Sequence, residues 1–110
     1  MQFMGELYVG ESILTKEYDI VRKVHNCNIV PNLYLLVFSA NIDNMLDLIP
    51  EWEVFQKGYP KDHFRVVGLA NGKKEAIKLV QRIVQDSLLA TGTADVRSFL
   101  EQKWEGQACR

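Results

Sequence analysis

The sequence predicts an α/β domain, with mixed α+β as the alternative class, in which about three helices pack on a sheet of three or four strands. Two strongly apolar segments, 32–40 and 64–70, predict strands, and a long helical pattern follows Gly72. Strand and helix patterns alternate in the order β-α-β-(β)-β-α-α. Such alternation is typical of a sheet covered by helices.

The composition predicts one folded domain over residues 1–110. The chain is 47% hydrophobic and 25% charged, which is close to the globular average. No apolar run is long enough to span a bilayer, and the first residues lack the basic and apolar regions of a signal peptide. Cys27 and Cys109 are too few for a disulfide framework, so we expect reduced thiols. We therefore expect a cytoplasmic protein that does not bind membranes.

The charges are unevenly distributed. The net charge of −1 argues against a nucleic-acid-binding protein. Residues 1–55 hold three basic and eight acidic side chains, whereas residues 56–110 hold ten basic and six acidic ones. The two halves either attract each other within one fold, which the pattern alone favours, or attract each other between two copies of the chain.

The first third of the chain predicts a strand followed by a helix. Residues 7–10 form a short β-prone run that ends in glycine. Ser12 or Thr15 is expected to cap the helix, and Asn26 and Asn28 are expected to end it in a left-handed conformation. The apolar residues of this helix follow the helical period: Ile13, Leu14, Tyr18, Ile20, Val21 and Val24.

The middle of the chain contains one clear and one ambiguous segment. Residues 33–38 are apolar on both faces, which predicts a central strand covered on both sides. Residues 45–55 fit either a helical stripe interrupted by Pro50 or a hairpin partner of the preceding strand, with Pro50 at a bulge or edge. The alternation in 51–55 favours a strand or irregular structure. Polar turns are expected at 39–44 and 56–62.

The last third predicts two helices. Residues 73–91 have a wide apolar face, with charged residues mainly opposite at spacings of four, and Gly92 is the expected C-terminal stop. Thr93 is expected to cap a last helix over 94–104, before a frayed tail over 105–110. The apolar face of the long helix comprises Ala76, Ile77, Leu79, Val80, Ile83, Val84 and Leu88.

The junction between the second apolar strand and the long helix is the candidate ligand site. Backbone N–H groups at such a turn bind anions, and two lysines add positive charge, so we consider a small phosphate-bearing ligand. The glycine spacing matches neither a P-loop nor a dinucleotide-binding motif. The alternative, which the pattern favours, is an ordinary tight turn with solvated lysines. The candidate ligand-binding residues are Gly68, Asn71, Gly72, Lys73 and Lys74.

Catalytic and metal sites receive little support from the sequence. Cys27 is the one conceivable nucleophile of a thiol-dependent enzyme, but His25 is two residues away and would diverge from it on a helix. His63 and Cys109 complete the soft ligands without a zinc spacing, and the acidic stretch 43–53 lacks the calcium-loop spacing. We assign no catalytic residue, metal or cofactor, and we consider an enzyme the least favoured class.

Aromatic residues and an edge strand point to protein contacts. Trp52, Tyr59 and Trp104 either cover the core or form a contact patch. If 45–55 contains an edge strand, its unpaired backbone groups give the chain a reason to dimerise. Homodimer and monomer remain equal alternatives. The leading hypothesis is a non-enzymatic binding or protein-interaction domain, and the second is the anionic-ligand site.

Seven segments of the chain carry a resemblance to known proteins: 8–14, 31–35, 46–50, 67–72, 75–76, 91–92 and 95–97. Together they resemble a family of small uncharacterised bacterial proteins of the Firmicutes type. The resemblance implies a bacterial, cytoplasmic protein of unknown function and transfers no catalytic residue.

Overall fold

The computed structural model describes residues 1–39, 45–56 and 64–106, which form a four-stranded sheet with helices on both faces. The predicted fold class and order of elements are confirmed, with α2 as an additional helix. The predicted turns at 39–44 and 56–62 and the tail at 105–110 lie largely outside the described residues. The strands are β1 (Gln2–Val9), β2 (Leu33–Phe38), β3 (Leu46–Pro50) and β4 (Arg65–Asn71). The helices are the 3-10 helix η1 (Glu11–Lys16), α1 (Glu17–His25), α2 (Glu51–Gln56), α3 (Lys73–Thr91) and α4 (Val96–Glu105).

The strand order in the sheet is β1-β4-β2-β3. β2 is antiparallel to both of its neighbours, whereas β1 runs parallel to β4. β4 therefore lies between β1 and β2, so these two strands do not form a parallel β-helix-β unit. Within the described part of the chain, β1 and β3 are the edge strands.

Each face of the sheet carries its own core cluster. Helices η1, α1 and α2 cover the first face, and α3 and α4 cover the second. The buried residues of the first cluster are Phe3, Val9, Ile13, Ile20, Val21, Val24, Leu33, Leu35, Val37, Val54, Val66 and Leu69. Those of the second are Met4, Tyr8, Leu36, Phe38, Val67, Ala70, Ala76, Leu79, Ile83, Val96, Phe99 and Leu100. The prediction that 33–38 is a central strand covered on both sides is confirmed.

The ambiguous segment 45–55 divides into a strand and a helix. β3 pairs with β2, and Pro50 ends the strand at the sheet edge, where a missing N–H is tolerated. The preference for strand or irregular structure over 51–55 was wrong, because these residues belong to α2. Glu51 and Val54 are both buried at a spacing of three, whereas Trp52 is 46% exposed. Five residues are too few to distinguish this period from alternation.

The helix starts differ from the expected capping. Neither Ser12 nor Thr15 caps α1, because the chain first forms η1 and then enters α1 at Lys16 without a side-chain cap. Asp95 caps α4 in place of Thr93, and its carboxylate accepts a hydrogen bond from the Ser98 backbone N–H at 3.2 Å. Asp95 lies closer than Thr93 to Val96, the first residue of α4, so its carboxylate reaches the Ser98 N–H, which has no acceptor within the helix.

The predicted helix ends and the predicted apolar stripe of the first helix are confirmed in part. Gly92 ends α3 in the left-handed conformation, with φ of 76°. After α1 it is Cys27, rather than Asn26 or Asn28, that adopts a positive φ of 60°. Leu14 and Tyr18, which the sequence places on the apolar stripe, are 59% and 78% exposed. Tyr18 lies about 200° around α1 from the buried Ile20, so it faces away from the core.

Arg65 links α4 to the sheet. Its guanidinium donates two hydrogen bonds to the Glu101 carboxylate, at 2.8 and 3.1 Å. It also lies over the ring of Phe38, 4.2 Å from the centroid, and 5.6 Å from the centroid of Trp104. The hydrogen bonds from Arg65 hold the pKa of Glu101 below its ordinary value. This planar, bidentate geometry is specific to arginine.

Replacing Arg65 by lysine should lower the free energy of unfolding by about 1–2 kcal/mol, because lysine loses both the bidentate pair and the stacking. Urea denaturation measures this. The matched control is Arg22→Lys, whose pair with Asp19 has side chains 63% and 62% exposed and should contribute about 0.5 kcal/mol or less. Equal effects of the two substitutions would contradict the role given to Arg65.

Candidate functional site

The predicted strand-turn-helix junction is present, and its backbone is tightly held. β4 ends at Asn71, Gly72 turns the chain with φ of 86°, and α3 begins at Lys73. The Gly72 N–H donates to the Asn32 carbonyl at 2.8 Å. Asn32 itself has a positive φ of 65°, so two turns with unusual backbone conformations meet here. The positive φ explains why glycine occupies position 72.

The structure separates Gly68 from the other candidate ligand-binding residues. Gly68 is buried in the sheet between β1 and β2. A Cβ at this position would lie 3.0 Å from the Tyr8 carbonyl oxygen and 3.3 Å from the Leu36 side chain. The glycine therefore allows close approach of strands and does not face a ligand cleft.

The carboxylate of Glu75 occupies the anion-binding position of the junction. It accepts a hydrogen bond from the Asn71 N–H at 2.9 Å, and it also accepts from the backbone N–H and hydroxyl of Ser12. Partial burial raises the pKa of Glu75, but these hydrogen bonds and the nearby Lys78 outweigh it, so the pKa lies below its ordinary value. The N–H groups of Asn71 and Gly72 therefore already have acceptors within the protein.

Gly10 makes room for this carboxylate. A Cβ built on Gly10 would overlap the carboxylate of Glu75. The backbone of Gly10 is extended, with φ of −62° and ψ of 146°, which any residue adopts. Glycine at position 10 therefore leaves room for Glu75 in its observed position, and the backbone conformation of Gly10 does not itself require glycine. The contact joins the end of β1 to the start of α3.

A cleft of about 490 Å³ opens beside the junction. It lies between the end of β1, the start of η1 and one flank of α3. Of the candidate residues, Asn71 and Lys74 line it, and Gly68, Gly72 and Lys73 do not. The remaining lining residues are Val9, Gly10, Glu11, Glu75, Lys78, Leu79 and Arg82.

The sequence contained part of the signal for this cleft. Lys78 and Arg82 follow Lys74 at spacings of four, which places all three on one flank of a helix. Nothing in the sequence indicated that Gly10 and Glu11, more than sixty residues away, would form the opposite wall. The parallel pairing of β1 with β4 brings them together.

Tyr8 is a buried residue of the second core cluster and lies next to Arg82 of α3. Its hydroxyl donates to the Asp86 carboxylate at 2.8 Å, and the Arg82 guanidinium lies 5.5 Å from its ring centroid. Burial, followed by the hydrogen bond to Asp86, raises the pKa of Tyr8. Tyr8 is therefore a neutral hydrogen-bond donor that fixes Asp86.

The thiol candidate Cys27 lies just beyond the end of α1. Cys27 is exposed and free, and the ring of His25 packs on Phe3 with centroids 4.7 Å apart. Within residues 1–39, 45–56 and 64–106, no three His, Cys, Asp or Glu side chains converge as metal ligands would. His63, Cys109 and Tyr59 lie outside the described residues.

Glu51 is a carboxyl group buried in the first face of the fold. Its side chain is fully buried, and one oxygen accepts a hydrogen bond from the Val30 N–H. The other oxygen has no hydrogen-bond partner among the described residues. Burial raises the pKa of Glu51, and the hydrogen bond from Val30 opposes this only partly. Ionisation of Glu51 therefore costs free energy in the folded state.

No protein-family model matches the chain, and no curated protein or solved structure is significantly similar to it. The resemblance to a bacterial family therefore stays a prediction. Among the described residues, no helix is both long enough and apolar enough to cross a membrane.

Gly10→Ala should lower the free energy of unfolding by about 1–2 kcal/mol, because the new methyl group displaces the Glu75 carboxylate and breaks its hydrogen bonds. In a Glu75→Ala background, Gly10→Ala should leave the free energy of unfolding almost unchanged. A double-mutant cycle by urea denaturation measures this coupling. If Gly10→Ala lowers the free energy of unfolding equally in both backgrounds, the contact with Glu75 is not the reason for glycine at position 10.

Glu51→Gln should remove one source of pH dependence from the stability, since the amide keeps an acceptor for the Val30 N–H and cannot ionise. The raised pKa means that folded wild-type protein binds more protons than unfolded protein, so its stability falls as pH rises above the ordinary glutamate pKa. The variant should lack this fall.

Unfolding curves from acidic to neutral pH test this expectation. Glu105→Gln, at an exposed position near the end of α4, is the control and should follow the wild-type pH dependence. A Glu51→Gln curve with the same slope as the wild type would show that Glu51 ionises without cost.

Proposed function

We propose that the chain is a non-enzymatic protein-interaction domain that forms a homodimer through the outer edge of β3. One observation carries the proposal. Within the described part of the chain, β3 pairs only with β2, so its other edge has no partner strand. The free N–H and C=O groups of such an edge pair readily with another strand, including the same strand of a second copy.

Apolar side chains that are not fully buried lie on β3 and on one stripe of α3. Leu46 and Leu48 of β3 and Val84 of α3 are partly buried against the second core cluster. Ile77 and Leu88 are 44% and 48% exposed and share a stripe with Val84, at spacings of seven and four. We call these five residues the β3 edge patch. In the proposed dimer, the free strand edge supplies hydrogen bonds to the second copy and these side chains supply apolar contacts.

The charge asymmetry does not contribute to this proposal. β4, from the basic half of the sequence, lies between β1 and β2, from the acidic half. This interleaving supports attraction within one fold as the explanation of the asymmetry. The dimer proposal therefore depends on the strand edge and the apolar patch alone.

We also propose a cytoplasmic location. Cys27 is an exposed, free thiol, and such thiols persist in reducing compartments.

Leu88→Lys should convert the dimer to a monomer, because it places a charge in the apolar patch. Size-exclusion chromatography with light scattering at high micromolar concentration measures the mass. Leu89→Lys is the matched control: Leu89 is 81% exposed and lies about 100° further around α3, outside the patch. The Leu89→Lys variant should remain dimeric.

Hydrogen exchange adds an independent measurement at the strand itself. In the dimer, the outward-facing amides of β3 should be protected, and in Leu88→Lys they should exchange quickly. A wild-type protein that is monomeric throughout the concentration range contradicts the homodimer. A dimer in which β3 gains no protection places the interface elsewhere.

A further inference from the structure

The cleft beside α3 is lined by a row of positively charged side chains. Lys74, Lys78 and Arg82 line it at successive spacings of four, so their Cα atoms rise roughly 6 Å from one to the next along one flank of the helix. None of the three forms a salt bridge with another residue in the described part of the chain. Cations that face one cleft create a positive potential there.

The acidic residues of the cleft only partly offset these charges. Glu75 is fixed by hydrogen bonds from Asn71 and Ser12 against Gly10, so it cannot swing out to pair with the lysines without losing them. Glu11 is the one other carboxylate among the lining residues. The lining thus holds three cations and two carboxylates, a net charge of +1, and the three cations lie together on the α3 flank, so the cleft favours an anionic ligand on that side.

The size and the apolar part of the cleft define the rest of the ligand. A volume of about 490 Å³ lies within the range of small-molecule sites. Val9 and Leu79 supply apolar surface beside the charged flank. Arginine is suited to bidentate contacts with phosphate oxygens.

We infer that this cleft binds a small phosphate-bearing molecule, with the phosphate groups on Lys74, Lys78 and Arg82 and the remainder against Val9 and Leu79. The site differs from the turn predicted at Gly68–Lys74: the N–H groups of Asn71 and Gly72 already have acceptors, and the anion lies on the helix flank. The inference is independent of the proposed dimer, because Leu88 and Ile77 lie on the other flank of α3.

Isothermal titration with pyrophosphate, tripolyphosphate and adenosine diphosphate tests the inference. The full chain should bind at least one of these probes, and Lys78→Ala should weaken binding by about tenfold, the effect of one lost charge-assisted hydrogen bond. Lys73→Ala is the matched control. It removes the same charge from the same end of α3 at a position that does not line the cleft, so it should leave binding unchanged.

Amide chemical shifts provide a second measurement. The bound probe should shift the resonances of Gly10, Glu11, Asn71 and Lys78 more than those of the opposite flank. Three outcomes overturn the inference: no binding of any probe at millimolar concentration, equal weakening by Lys73→Ala and Lys78→Ala, or binding that disappears at physiological salt. The last two would indicate diffuse attraction to a basic helix.

Discussion

The two central strands carry apolar side chains on both faces, and the other elements are placed by the need to cover them. In β2, Leu35 and Val37 point into the first cluster while Leu36 and Phe38 point into the second. Each buried side chain of this kind contributes about 1.5–3 kcal/mol, which is lost if either face meets water. One helical layer would leave half of this surface exposed. The fold therefore needs η1, α1 and α2 on one face and α3 and α4 on the other.

Burying the centre of the sheet leaves the two edge strands with different properties. β1 shifts its register against β4 between Phe3 and Tyr8, and such irregularities discourage pairing with another chain. β3 keeps an unbroken register with β2 over all five of its residues. Pro50 shortens β3 but leaves its remaining donors available. This contrast explains why self-association is proposed at β3 and not at β1.

Helix α3 carries the proposed dimer contact on one flank and the proposed ligand cleft on the other. Its sequence predicts some features of these two flanks and not others. The apolar stripe and the basic row both follow from residue spacing, so their separation on one helix is readable from the sequence. Exposure is not readable: Ile77 and Leu88 were assigned to the buried face, yet α3 turns them beyond the region that the sheet covers. The ligand turn was recognised by its glycine and lysines. Its occupation by Glu75 was not, because the space for that carboxylate is made by Gly10 on a distant strand.

The sequence by itself determined the elements whose signals are local. The double-faced apolar strands, the long helix and its glycine stop all follow from periodicity and backbone preference within about twenty residues. Only the tertiary structure decided the strand order, the strand-to-helix change at Glu51 and the wall of the cleft. These depend on contacts between residues far apart in the chain. A local pattern does not reveal such contacts. The five residues 51–55, for example, fit the period of a strand as well as that of a helix, and packing against the rest of the fold decides between the two.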